Sequence, residues 1–191
     1  AIIAFKVSRK DYSGFHIAAS HSDSPTLKIK ESSEMNVENQ YVKLNVEKYG
    51  GMLCAPWFDR PLSVAGRIIV KDGNRLTTKL INVDRDLLMI PNLAIHMNRE
   101  VNDGYKYNIQ KDMLPLYRMS NSGKAFKEMI AEEAGVSVDQ IKGMDLFLYN
   151  RMEGTIWGCD GEFISAPRLD DLQCAFTSTM ALLNSESDRC I

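Results

Sequence analysis

Gly66-Arg67-Ile68-Ile69-Val70-Lys71-Asp72-Gly73-Asn74-Arg75-Leu76-Thr77-Thr78-Lys79-Leu80-Ile81-Asn82-Val83 is the stretch on which the fold turns. Apolar and β-branched residues run into Lys71-Asp72-Gly73-Asn74, which has hairpin-turn chemistry, and Leu76 to Val83 pairs back. Outward from this hairpin, Val42, Leu44 and Val46 alternate ahead of a break at Gly50-Gly51. Thr26-Leu27-Lys28-Ile29-Lys30 alternates as a half-exposed strand. From about residue 41 to 118 nearly every signal is β, which predicts a module of several short strands.

The flanks read differently. Residues 2–7 and 14–19 are expected strands joined by the turn Asp11-Tyr12-Ser13-Gly14, and Pro25 stops the second by removing a ladder donor. A helix is expected over 123–134, capped by Ser120 or Ser122, ended by Gly135, with Phe126, Met129, Ile130 and Ala134 on its buried face. A short helix at 138–142 and a strand at 145–149 follow. A last helix at 171–184 is expected to bury Leu172, Ala175, Phe176, Thr179 and Leu183. The β module therefore reads as an insertion into an α/β domain.

Composition narrows the classes of function. The 191 residues carry 23 Lys+Arg against 25 Asp+Glu, a net charge of −2, with 45% hydrophobic and 25% charged residues. These are globular values, and they exclude a disordered tail, a collagen-like fibre and a coiled coil. No apolar run reaches the roughly 18 residues that span a bilayer. The near-neutral balance gives no basic footprint for nucleic acid or an anionic membrane. Cys54, Cys159, Cys174 and Cys190 form no C-x-x-C pair and read as reduced thiols of a cytoplasmic protein. Ala1-Ile2-Ile3 reads as mid-strand and Ser187-Asp188-Arg189-Cys190-Ile191 follows directly on a helix, so the chain is expected to be a piece of a longer one.

Four segments could carry chemistry. In an extended segment His21 and Asp23 leave the same face, so the imidazole can bind a metal while the Asp supports it; the alternative is a surface His beside a capping Asp. Arg168-Leu169-Asp170-Asp171 opens a helix, where an Asp either caps free N–H groups or bridges two metal ions with its two oxygens. His96 ends the apolar run Ile90-Pro91-Asn92-Leu93-Ala94-Ile95 and is a packed core residue unless it serves a site; His16, alternating with Phe15 and Ile17, reads as structural. Trp57-Phe58-Asp59-Arg60-Pro61-Leu62 is either a turn packing two sheets or an interface anchor.

Taken in order, His21-Ser22-Asp23-Ser24-Pro25, Tyr49-Gly50-Gly51, Trp57-Phe58-Asp59-Arg60-Pro61-Leu62, Ile90-Pro91-Asn92-Leu93-Ala94-Ile95-His96, Glu162-Phe163-Ile164 and Arg168-Leu169-Asp170-Asp171-Leu172 resemble the aspartyl aminopeptidase / aminopeptidase I family of zinc metallopeptidases. The resemblance covers nearly the whole chain. It implies an α/β fold, part of a metallopeptidase catalytic domain (1–32 and 147–191) with an inserted, mainly β dimerisation domain (33–146). It implies a cytoplasmic exopeptidase with two Zn2+ ions per complete site, a peptide substrate and a homo-dimer or larger homo-oligomer. By the same resemblance His21 is a zinc ligand, Asp23 supports it, Asp170 is the bridging carboxylate and Asp170–Asp171 is a cis bond. His96 would reach the neighbouring subunit's site to bind substrate or stabilise the oxyanion. The family's Glu-Glu pair, a further acidic ligand and a second His lie downstream of the bridging Asp and are absent from this sequence; Glu132-Glu133 precedes Asp170 and reads as a solvated face. A chain with one His and one Asp of the set is expected to be inactive by itself, and an assembly module without catalysis is the competing reading.

Overall fold

The computed structural model describes residues 2–7 and 11–185. It divides into two units, Pro25–Met152 and the pair of segments Ala1–Ser24 and Glu153–Ile191. Positions 32/33 and 146/147 lie within the strands Thr26–Val37 and Ile141–Asn150, and the two units divide at the outer ends of those strands.

The central unit contains β1 (Thr26–Val37), β2 (Tyr41–Tyr49), β3 (Leu62–Asp72), β4 (Arg75–Asn82), a one-turn helix α1 (Ile109–Asp112), β5 (Leu116–Met119), α2 (Phe126–Ala134) and β6 (Ile141–Asn150). Its strands form one antiparallel sheet in the order β4-β3-β6-β1-β2-β5. The hairpin chemistry holds: Asp72 pairs with Arg75, and Gly73, at φ +58°, supplies the left-handed first position of the two-residue loop. The alternation in β2 also holds, with Val42, Leu44 and Val46 buried between half-exposed neighbours. The core joins Leu44 and Val46 to Leu27, Ile29, Val64, Ile68, Leu146 and Leu148, with Phe126, Met129 and Ile130 of α2.

The start of α2 departs from the sequence expectation. Neither Ser120 nor Ser122 caps it. The helix begins at Phe126 because Glu34 of β1 accepts the Phe126 N–H at 2.9 Å, while Glu128 accepts that of Ala125 at 3.0 Å. Arg118 holds Glu34 in place at 3.4 Å. An acceptor brought by tertiary folding thus sets the first turn. Gly135 ends the helix in the left-handed region, as expected. Residues 138–142 form a 3-10 turn at Val138–Gln140, because Ile141 already belongs to β6. Glu132 pairs with Lys124 and Glu133 with Arg85, each at 2.6 Å, as a solvated helix face.

The other unit holds the hairpin β7 (Thr155–Trp157) and β8 (Phe163–Ser165) and the helix α3 (Leu169–Asn184). The strands expected at 2–7 and 14–19 do not form beyond a single bridging residue at Phe15, and Ile2, Ile3, Phe5 and Ile17 are exposed. An apolar alternation becomes a strand only when a neighbour completes its ladder, and no described strand lies alongside these residues. The apolar face of α3 is likewise uncovered: Leu172, Phe176 and Leu183 are exposed, Thr179 is exposed, and only Ala175 of the expected set is half-buried. Among the described residues no helix is long and apolar enough to cross a membrane. Cys54, Cys159 and Cys174 are free thiols, while Cys190 lies outside the described residues.

Two stability outcomes follow from the sheet. A Cβ on Gly66, which sits at φ +151° in β3, would press into the Asp145 carbonyl oxygen and come within 3.0 Å of Leu146 Cα. Gly66→Ala is expected to cost about 2–4 kcal/mol, read as a lower urea midpoint; an unchanged midpoint would refute the close approach. Asp145 accepts from Lys28 at 2.9 Å and from Arg67 at 3.2 Å, and these partners, Lys28 foremost, hold its carboxyl below the usual range. A carboxyl whose pKa is lower folded than unfolded adds stability above its unfolded value, about 3.9, and loses it as pH falls through the folded value. Asp145→Asn should therefore lower the midpoint at neutral pH, and the gap should close as the solution is taken below about pH 4. A gap of the same size at every pH would contradict the ion pairs.

Candidate metal centre

His21 stands in the non-regular segment that precedes β1, where main-chain contacts and not a strand fix its position. Its ring Nδ1 lies 2.9 Å from the Asp23 carbonyl oxygen. A hydrogen bond there places the proton on Nδ1 and leaves the Nε2 lone pair for another partner. The support therefore comes from the Asp23 main chain, with the Asp23 carboxylate at 3.6 Å from Nδ1.

The other half of the site is the start of α3. Arg168 is left-handed at φ +65°, Asp170 and Asp171 have non-helical backbone angles, and the bond between them is cis. Asp170 is consequently not a simple helix cap. Its Oδ1 lies 3.2 Å from His21 Nε2, with its side chain almost wholly in solvent. Asp171, only 18% exposed, accepts the His21 main-chain N–H at 3.1 Å through Oδ2, which is also 4.0 Å from Nε2. Sequence reasoning passed over Asp171. Its adjacency to Asp170 was visible, but an acceptor for a main-chain N–H 150 positions away leaves no local signal.

Negative charge gathers around the imidazole. The Asp23 carbonyl hydrogen bond raises the His21 pKa, and the negative charges of Asp171, Asp170 and Asp23 add to it against partial desolvation. Asp171 is held below the usual carboxylate range, first by a hydrogen bond from Cys174 and then by the His21 N–H; the same bond pushes the Cys174 thiol up.

The spacing fits zinc. Two ligand atoms on one tetrahedral ion, with Zn–N and Zn–O near 2.0–2.2 Å, stand roughly 3.3 Å apart. His21 Nε2 and Asp170 Oδ1 are 3.2 Å apart. Among the described residues no group of three or more His, Cys, Asp or Glu side chains is arranged to hold a metal ion by itself. His21 Nε2 and Asp170 Oδ1 could supply two donors, and a catalytic zinc needs at least one more.

The remaining candidate belongs to the central unit. His96 lies in a 3-10 turn, Ile95–Met97, and is exposed, as are Leu93, Ile95 and Met97. It is not a packed core residue. The base of its loop is fixed by Asp59, whose carboxylate accepts the Asn92 main-chain N–H and the Asn92 side-chain amide, both at 2.9 Å. These bonds hold Asp59 below the usual carboxylate range. Trp57 and Phe58 pack against the core beside it, so this segment serves as an internal anchor. His16 is exposed.

The sequence and the fold have counterparts in known proteins. The sequence profile of Peptidase_M18, described as "Aminopeptidase I zinc metalloprotease (M18)", matches residues 1–191. The chain is 47% identical over 195 residues to a probable M18 family aminopeptidase 2 of Clostridium acetobutylicum, covering 97% of this chain and 45% of that protein. Its fold matches the Ape4 of the Ape4–Nbr1 complex with a TM-score of 0.84 at 31% identity, over 97% of this chain and 39% of that one. Chaetomium thermophilum mApe1 matches with a TM-score of 0.80 at 33% identity, over 95% and 45% of the two chains. The S. cerevisiae mApe1 dodecamer matches at 0.69 and 27% identity, over 90% and 40%. The chain thus spans about half or less of the length of the proteins it matches. The family profile covers the whole chain and the relatives match 97% of it, so the chain belongs to the M18 family of aminopeptidase I zinc metalloproteases.

Proposed function

We propose that this chain forms part of a two-zinc aminopeptidase that removes N-terminal residues, acidic ones included, from peptides in the cytoplasm. The observation that carries the reading is the 3.2 Å approach of His21 Nε2 to Asp170 Oδ1, the separation of two ligands on one ion. His21 is a terminal ligand, its tautomer set by the Asp23 carbonyl. Asp170, whose exposed carboxylate carries two donor oxygens, would help hold the metal. Zinc held there would lower the pKa of a bound water and polarise the first peptide carbonyl. Asp171 keeps the His21 main chain fixed against the helix start. His96, presented on its anchored loop, contributes to substrate binding or oxyanion stabilisation in a neighbouring subunit. A homo-oligomer fits this role, and the S. cerevisiae neighbour is a dodecamer. The free thiols of Cys54, Cys159 and Cys174 agree with a reducing compartment.

In the full-length protein, His21→Ala and Asp170→Asn should each weaken zinc binding and cut kcat/KM by at least about a hundredfold. Metal analysis and aminopeptidase assays on folded variants check this. Wild-type activity and zinc content in His21→Ala would remove the metal role. The isolated 191-residue chain, with two ligands of a larger set, should release no amino acid from an aminoacyl substrate. Turnover by it would sink the partial-site reading, and a full-length protein without zinc or turnover would favour the assembly module.

A further inference from the structure

We propose that β4 is a self-pairing edge, through which two copies of this chain join their sheets antiparallel about a two-fold axis at Thr78. This rests on the homo-oligomer reading above and adds which surface of the module makes the contact.

β4 is the outer strand of the sheet, and among the described residues its free side has no main-chain partner. The register fixes which groups face that side. Val83 N donates to Val64 O at 2.9 Å, and Asp72↔Arg75 and Ile69↔Thr78 continue the same ladder. Hydrogen-bonded pairs alternate along an antiparallel ladder, so Arg75, Thr77, Lys79 and Ile81 bond inward to β3. The N–H and C=O groups of Leu76, Thr78 and Leu80 therefore point outward. Their side chains share one face of the strand, and there Leu76 is 66% and Leu80 85% exposed, while Ile81 on the opposite face is buried. An exposed, regular edge with apolar side chains invites pairing, and nothing in β4 blocks it: it has no Pro, no bulge and no charge on that face.

Charge selects the register. A second copy presents the same edge and can meet it only antiparallel about a two-fold axis. Because outward groups belong to even-numbered residues, these must pair with one another. An axis at Thr77 sets Arg75 against Lys79 twice, and an axis at Lys79 sets the two Lys79 residues directly opposite; both carry like-charge repulsion. An axis at Thr78 pairs Leu76 with Leu80, Thr77 with Lys79 and Arg75 with Ile81. This register opposes no like charges, stacks two Leu–Leu pairs on one face and makes about six main-chain hydrogen bonds.

Two substitutions in the full-length protein test the edge. Thr78→Pro removes an outward N–H that the monomer does not use, which an edge strand tolerates. Thr78→Cys places two thiols across the axis with Cα atoms about 5.5 Å apart, within disulfide range. Light scattering should show a subunit interface weakened by roughly tenfold or more in Thr78→Pro, with an unchanged circular dichroism spectrum. Mild oxidation should convert Thr78→Cys to a disulfide dimer that Thr77→Cys does not form. An oligomeric wild type with neither effect would overturn the edge and leave the homo-oligomer reading standing. A monomeric wild type would overturn both. A Thr78→Pro protein that unfolds while Thr78→Cys fails to cross-link would assign the edge to another segment of the same chain.

Discussion

The antiparallel pairing of β1 with β6 is the constraint on which the arrangement depends. Lys28 stands opposite Phe147, the Thr26 hydroxyl donates to the Leu148 carbonyl at 2.5 Å, and Lys28 also holds Asp145. The central unit begins on β1 and ends on β6, so it starts and finishes on neighbouring strands. An insertion closed in this way adds a whole domain without imposing separation on the segments that flank it. His21 and Asp171 can then hydrogen-bond directly although 150 positions separate them. The same pairing places β3 and β4 outboard of β6, which makes β4 an edge.

His21 Nε2 and the Asp170 carboxylate are exposed, while the Asp171 carboxylate beside them is largely covered. The Asp23 carbonyl chooses the tautomer, and Asp171, tied to Cys174, fixes the main chain of His21. Carboxylates close together repel, and an ordered pair of Asp residues beside an imidazole is costly unless a cation offsets it. The start of α3 is also not an ordinary helix cap, because the cap position is Arg168 and its side chain makes no capping bond.

The parts of the fold legible in the sequence were those set by local chemistry. Gly73 declared the β3–β4 loop because its left-handed φ is one that few other residues adopt. Val42, Leu44 and Val46 declared β2 through their period of two. The start of α2 was not legible, since its acceptor Glu34 lies 92 positions away in β1. The apolar runs at 2–7, 14–19 and along α3 announced buried faces truthfully as patterns, yet burial requires a covering surface that the described residues do not include. At the candidate site, motifs single out His21 and Asp170 in the sequence, while the roles of Asp171 and the Asp59–Asn92 anchor emerge only from three-dimensional contacts. For His96, the packed reading suggested by its apolar neighbours failed because those neighbours, Leu93, Ile95 and Met97, are themselves exposed.

The central claim is that His21 and Asp170 bind the same metal ion. Anomalous diffraction at the zinc edge, from crystals of the full-length protein grown with zinc, tests it most directly. The account predicts an anomalous peak within about 2.2 Å of both His21 Nε2 and an Asp170 oxygen, with a second peak about 3.5–4 Å away on the other Asp170 oxygen. Zinc peaks coordinated elsewhere, with His21 Nε2 still bonded to Asp170 alone, would contradict it.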